Sequence, residues 1–172
     1  DAAIIQFSTF NAGAVETEGF EADLLWYTDI PGLSLRGQFA WTDATNTGDF
    51  ITPGGENLKG SKRSYSPEIA GSLGLSYDSG LSNGWRYNIS TDARYSDEYG
   101  WGTYIDSPMQ DSFWINDVAL SLYSEDGKHS FNLIGRNLGD EIVIITGGAI
   151  PGRISTQTST SALIKYPPVP NP

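Results

Sequence analysis

Few side chains in this sequence could do chemistry. His129 is the single histidine, at the end of a turn, and cysteine is absent, so no histidine-based metal site or catalytic triad is expected. Carboxylates remain. Asp92 and Asp117 could share general acid–base work as a pair, yet charged residues along one face of a strand need no catalytic reason, and no enzyme activity is expected. Two clusters suit binding better. Tyr99, Trp101 and Tyr104 fall in one loop and offer rings on which a ligand could stack, although packing within the loop explains them equally well. Lys59, Lys62 and Arg63 could meet an anionic chelate; a solvated loop face is the plainer account. Asn88-Ile89-Ser90 has the form of a glycosylation acceptor, but it lies inside a strand pattern rather than a surface loop.

The overall charge narrows the classes. Asp and Glu number 21 against 10 Lys and Arg, for a net charge of −11, the reverse of the basic face a nucleic-acid partner requires. The absence of cysteine removes disulfide scaffolds and thiol chemistry. No run reaches the roughly 18 consecutive apolar residues of a membrane-spanning helix. A slightly negative mean hydropathy does not exclude a membrane barrel, whose lumen-facing half and long loops are polar. Asp1, with no initiating methionine or signal peptide, reads as the start of a mature piece or of a fragment.

These residues must be positioned by strands. In Trp85–Asp97 the odd positions are Trp85, Tyr87, Ile89, Thr91, Ala93 and Tyr95, and the even ones are Arg86, Asn88, Ser90, Asp92, Arg94 and Ser96. Strict alternation means one apolar and one polar face. At about 3.3 Å per residue and a tilt of about 40°, the distance from Trp85 to Tyr95 spans roughly 25 Å, the height of the apolar band of an outer-membrane barrel. Val15–Thr28, Leu33–Trp41, Glu68–Asp78, Phe113–Ser124 and His129–Leu138 alternate in the same way. Facing Thr28 with Leu33 pairs Phe20 with Trp41, Ala22 with Phe39 and Trp26 with Leu35, all on the apolar face. The polar face then sets Asp23 against Gln38, with Arg36 one diagonal step away. Facing Ser124 with His129 pairs Leu122 with Phe131 and Leu120 with Leu133, and predicts an Asp117–Arg136 ion pair.

Short turns at 29–32, 79–84 and 125–128 alternate with long loops at 45–67, 98–111 and after 138. Membrane barrels place short turns at one rim and long loops at the other. Trp26, Tyr77 and Trp85 then form the inner aromatic girdle, and Trp41, Tyr95 and Trp114 the outer one. The end of the chain is less regular. Ile142–Ile145 could prolong a strand, Gly147–Arg153 reads as loop, and Ile154–Tyr166 is either a divergent last strand or, by preference, a surface loop leading into Pro167, Pro168, Pro170 and Pro172.

Asn11-Ala12-Gly13 with Gly19-Phe20-Glu21, followed by Leu33–Asp43, resembles the late barrel strands of TonB-dependent outer-membrane receptors. Arg94-Tyr95-Ser96 and Trp114-Ile115-Asn116 fit the same pattern, and Ile134-Gly135-Arg136-Asn137-Leu138-Gly139-Asp140-Glu141 is similar to that family's penultimate-strand signature. The resemblance covers roughly Phe7 to Glu141. It implies an all-β, antiparallel transmembrane β-barrel, of which residues 1–172 would be a C-terminal portion of about seven or eight strands out of 22. The plug domain, the TonB box, the earlier strands and the closing strand would lie outside this chain. It further implies active uptake of a scarce nutrient, such as a ferric siderophore or other metal chelate, or a glycan, at the outer membrane of a Gram-negative bacterium. The partners would be membrane lipid and lipopolysaccharide, the plug and the TonB energy-coupling complex, with no cofactor. Glu21, Asp23, Arg36, Arg86, Asp92, Arg94, Asp117 and Arg136 would line the plugged lumen. Two rival readings are a complete eight-stranded membrane barrel with a structural or adhesion role and a soluble β-sandwich binding module. An aromatic-terminated last strand would favour the first, and solubility of the chain alone the second.

Overall fold

The structure is a computed structural model. It describes residues 13–52, 54–101 and 108–150, together with a strand at 153–158; for 145–150 and 153–158 only the backbone is described. The readings of Ala2–Phe10, Asn11-Ala12, Tyr104 and the proline-rich end fall outside these residues, as does Ile154–Tyr166 beyond the strand at 153–158.

Every regular element among the described residues is a β-strand: β1 (Val15–Tyr27), β2 (Leu33–Asn46), β3 (Ile69–Gly80), β4 (Arg86–Ser96), β5 (Tyr99–Gly100), β6 (Met109–Gln110), β7 (Phe113–Tyr123), β8 (Ser130–Gly135), β9 (Ile144–Ile150) and β10 (Arg153–Thr158). Six of them form one antiparallel sheet in the order β1-β2-β3-β4-β7-β8. β5 pairs with β6 inside the loop that joins β4 to β7, and β9 pairs with β10.

The register of this sheet follows the alternation. Phe20 faces Trp41, Ala22 faces Phe39 and Trp26 faces Leu35; Leu120 faces Leu133 and Leu122 faces Phe131. Both hairpins therefore have the expected pairing, because a one-residue slip would turn every apolar side chain to the opposite face. The turn into β2 closes with Thr28 N–H donating to Leu33 O at 3.2 Å. Gly32 supplies a φ of 84° there, a backbone conformation that suits glycine.

Two boundaries differ from the sequence reading. β2 runs to Asn46 rather than stopping at Trp41, because Thr42–Asn46 pairs with the outer end of β1. These residues lose the apolar alternation, and the backbone ladder with side-chain bonds between Asp43 and Lys62 and between Asn46 and Ser61 keeps them extended. Conversely, β8 stops at Gly135 and not at Leu138, since Asn137 and Asp140 take left-handed φ values of 49° and 52°. At the end of the chain, Gly147–Arg153 was expected as loop, yet β9 and β10 occupy most of it. Gly147, Gly148 and Ala149 pair with Thr156, Ser155 and Ile154, and their small side chains give no periodic signal.

No second layer covers the sheet among the described residues. The buried hydrophobic residues among those described are Ala44, Leu58, Trp101 and Val143, all at or above the outer end of the strands, while Leu24, Trp26, Leu73 and Trp114 stay more than half exposed. A soluble sandwich would bury one such face against a second sheet.

Candidate functional site

The sheet's polar face carries a transverse row of charge. Arg36 on β2 reaches across β3 to Asp92 on β4, with Nη2 at 3.3 Å from Oδ2. Arg94, two residues further along β4, lies with Nε 3.5 Å from Asp92 Oδ1 and donates from Nη2 to Asp117 Oδ2 on β7 at 2.8 Å. Asp117 Oδ1 accepts the backbone N–H of Asn137 at 2.8 Å. One line of hydrogen bonds and ion pairs thus runs from β2 to Asn137, just past the end of β8.

Backbone geometry explains its course. Asp92 and Asp117 are direct partners in the β4–β7 register, a placement that repels on its own; the Arg94 guanidinium between them resolves it. The Arg36 side chain can cross β3 because Gly74 lies beneath it. A Cβ at Gly74 would come within 2.5 Å of Arg36 Nε and 2.8 Å of its Cγ.

Two expected contacts are replaced. Asp23 does face Gln38, but Arg36 turns from its diagonal neighbour Asp23 toward Asp92, which offers a partner across the open strip over Gly74. The Asp117–Arg136 pair does not form, although the hairpin register is as expected. β8 ends one residue earlier, and both oxygens of Asp117 are taken by Arg94 and by the Asn137 N–H. Among the described residues Glu21, Asp23, Arg86 and Arg136 have no ion pair. The sheet brings Asp92 and Asp117 together with a guanidinium between them.

The opposite face carries most of the strands' aromatic side chains. Tyr95 and Trp114 lie with ring centroids 5.0 Å apart, and Phe20 contacts Trp41 at 6.1 Å and Phe39 at 5.6 Å. Trp41 Nε1 donates to Glu68 Oε1 at 3.3 Å, an apolar ring with a wet polar end. Toward the other end of the strands Tyr77 meets Tyr87 edge-on at 6.1 Å. Trp26 and Trp85 share that end, though Trp85 sits in the turn just before β4.

The long loops gather into a separate cluster. The rings of Tyr65 and Tyr99 meet at a tilt of 42° with centroids 6.1 Å apart, and the Tyr65 N–H donates to Gly100 O at 2.8 Å. The Tyr99 hydroxyl donates to Ile144 O at 3.2 Å, while Gln110 Oε1 accepts the Ile144 N–H at 2.9 Å. Partial burial, and Tyr65 nearby, raise the pKa of Tyr99 above the usual phenol value. Trp101 is only 6 % exposed, and its indole N–H finds no acceptor among the described residues. Trp101 is covered and offers no open stacking face. Tyr65 and Gln110, which complete this cluster, were not foreseen; a tyrosine in one loop and a glutamine in another carry no local pattern.

The basic trio is largely neutralised locally. Lys62 Nζ lies 2.8 Å from Asp43 Oδ1 and 3.7 Å from Glu68 Oε2, and Lys59 lies 3.7 Å from Asp49. The hydrogen bond to Asp43 holds the Lys62 pKa above the ordinary lysine value. Arg63 is exposed and has no ion pair among the described residues.

An antiparallel sheet with one exposed apolar face ringed by aromatics, one charged face and all its long loops at one end is the wall of a transmembrane β-barrel. The family described as TonB dependent receptor-like, beta-barrel matches residues 1–138. The chain belongs to that family, whose members are receptors and transporters of the Gram-negative outer membrane that work with a plug domain and TonB. No curated protein and no solved structure matches this chain.

Proposed function

We propose that this chain forms part of the wall and outer loops of a receptor that takes up a scarce nutrient, such as a ferric siderophore, powered through TonB. The observation that carries this reading is the division of the sheet. Its apolar face is continuous and open to lipid, while its charged face is internally braced and leaves Glu21, Asp23, Arg86 and Arg136 available to a plug. On this reading the residues provide scaffold, loops and plug contacts, and none performs catalysis. Arg63, together with whatever Lys59 and Lys62 retain, would face an anionic chelate or lipopolysaccharide.

Uptake of a radiolabelled ferric siderophore by iron-starved cells tests the proposal. Deleting the gene for the full-length protein should abolish energised uptake of its ligand, and deleting TonB should do the same. If ferric siderophores are carried equally well without the gene while cobalamin, haem or a glycan is not, the substrate class is wrong and the transport reading stands. If no substrate responds to either deletion, transport itself is wrong.

A further inference from the structure

Asp117 lies where two separate assemblies meet. Through Oδ2 it ends the charged row, at 2.8 Å from Arg94 Nη2, and through Oδ1 it holds the Asn137 N–H, also at 2.8 Å. Asn137 opens the segment that follows β8. Its own amide closes that segment on Glu141, with Nδ2 donating to Glu141 O at 2.8 Å and Oδ1 accepting the Glu141 N–H at 3.0 Å. Three residues on, Ile144 is clamped by the Gln110 side chain and the Tyr99 hydroxyl. Among the described residues no other side chain joins the charged row to the loop cluster through hydrogen bonds.

Among the described residues Arg94 makes no hydrogen bond or ion pair to that loop, yet it determines where the Asp117 carboxylate points. Without its charge, Asp117 would lose its only cation and face Asp92, then held by Arg36 alone, across the β4–β7 register. Like charges in that placement repel, and a carboxylate with some exposure relieves the repulsion by rotating, which carries Oδ1 off the Asn137 N–H.

We propose that Asp117 is a positioning residue for the outer loops, aimed by Arg94 so that it fixes residues 137–144 against Tyr99 and Gln110. The inference goes beyond transport, since it concerns loop placement in the unliganded protein and holds whatever the ligand is.

The test uses the full-length protein in lipid bilayers, with Val143→Cys as a reporter and any other cysteine replaced. Val143 is 7 % exposed, so a water-soluble maleimide should label it slowly in the parent. Arg94→Gln and Asp117→Ala should each raise the labelling rate about tenfold or more, the scale of losing a hydrogen bond to a charged group. Arg94→Lys, which keeps the charge, should restore slow labelling. An unchanged rate in Arg94→Gln overturns the proposal even if Asp117→Ala is fast, because Asp117 would then be a local cap and nothing more. Fast labelling in Arg94→Lys also overturns it. A second reporter, Ala119→Cys on β7, separates these outcomes from opening of the sheet. Its rate should stay at the parent value in every variant, and a parallel rise at both reporters counts against a loop-specific role.

Discussion

Asn137 holds a left-handed backbone, φ 49°, at the point where β8 stops being a strand. Asparagine tolerates that conformation better than most residues, since its short polar side chain can bond locally. Here it does so twice, donating to Glu141 O and accepting from Glu141 N–H. Two penalties should therefore follow from Asn137→Ala: loss of both side-chain bonds, and a Cβ-bearing residue without compensation in the left-handed region. Together they amount to about 2–3 kcal/mol of local stability. Amide hydrogen exchange at Glu141 and Ile144 should speed up accordingly. Asn137→Gly incurs only the first penalty, so its exchange should fall between parent and alanine; equal rates in the two variants would show that the backbone conformation carries no cost.

At the scale of the strand, face decides tolerance. Leu73, in the middle of β3, pairs with Gly37 and Ala93 on the apolar side and is 57 % exposed. Ser76, on the same strand, faces the polar side, where Asn88 donates to its hydroxyl at 2.8 Å and to Asp78 at 3.1 Å. Leu73→Arg places a cation in hydrocarbon and should cost about 2–4 kcal/mol near the bilayer midplane. Ser76→Arg meets water and a carboxylate and should cost much less. Denaturant titration of the full-length protein refolded into lipid vesicles measures both, and equal costs would remove the lipid assignment of the apolar face. The two faces were legible in the sequence because alternation, loop length and hairpin register each constrain the same variable. Contacts reaching beyond a nearest-neighbour strand were not. That Arg36 would pass over Gly74 to Asp92, or that Asp117 would turn to Arg94 instead of Arg136, depends on which strand lies two places away and on where β8 ends. Short-range patterning contains neither fact. The pairing of Gly147–Ala149 was hidden for a simpler reason: small residues extend without leaving an alternating signature.

For the molecule as a whole, the tryptophans divide by environment. Trp26 and Trp114 are 55 % and 54 % exposed on the apolar face, whereas Trp101 is buried under the outer loops. Along β4 the aromatics of the apolar face run from Tyr87 to Tyr95, about 26 Å at 3.3 Å per residue, which once tilted fits within an apolar band about 25 Å tall bounded by aromatic girdles. Aromatic rings with a polar tip settle at such boundaries because the ring leaves water while the tip stays wet. Variants of the full-length protein that keep one tryptophan each, reconstituted in bilayers with bromine on the acyl chains, should show this arrangement directly. Trp26 and Trp114 should be strongly quenched when bromine lies near the head-group end of the chain and less when it lies near the bilayer centre. Trp101 should be almost insensitive at either depth but should respond to aqueous quenchers once Tyr99→Phe or Gln110→Ala loosens the Ile144 clamp. Strong lipid quenching of Trp101 in the parent would mean that the loop cluster sits within the bilayer. That would overturn the placement of all the long loops at the aqueous rim, because irregular backbone such as residues 63–67 cannot be left facing hydrocarbon.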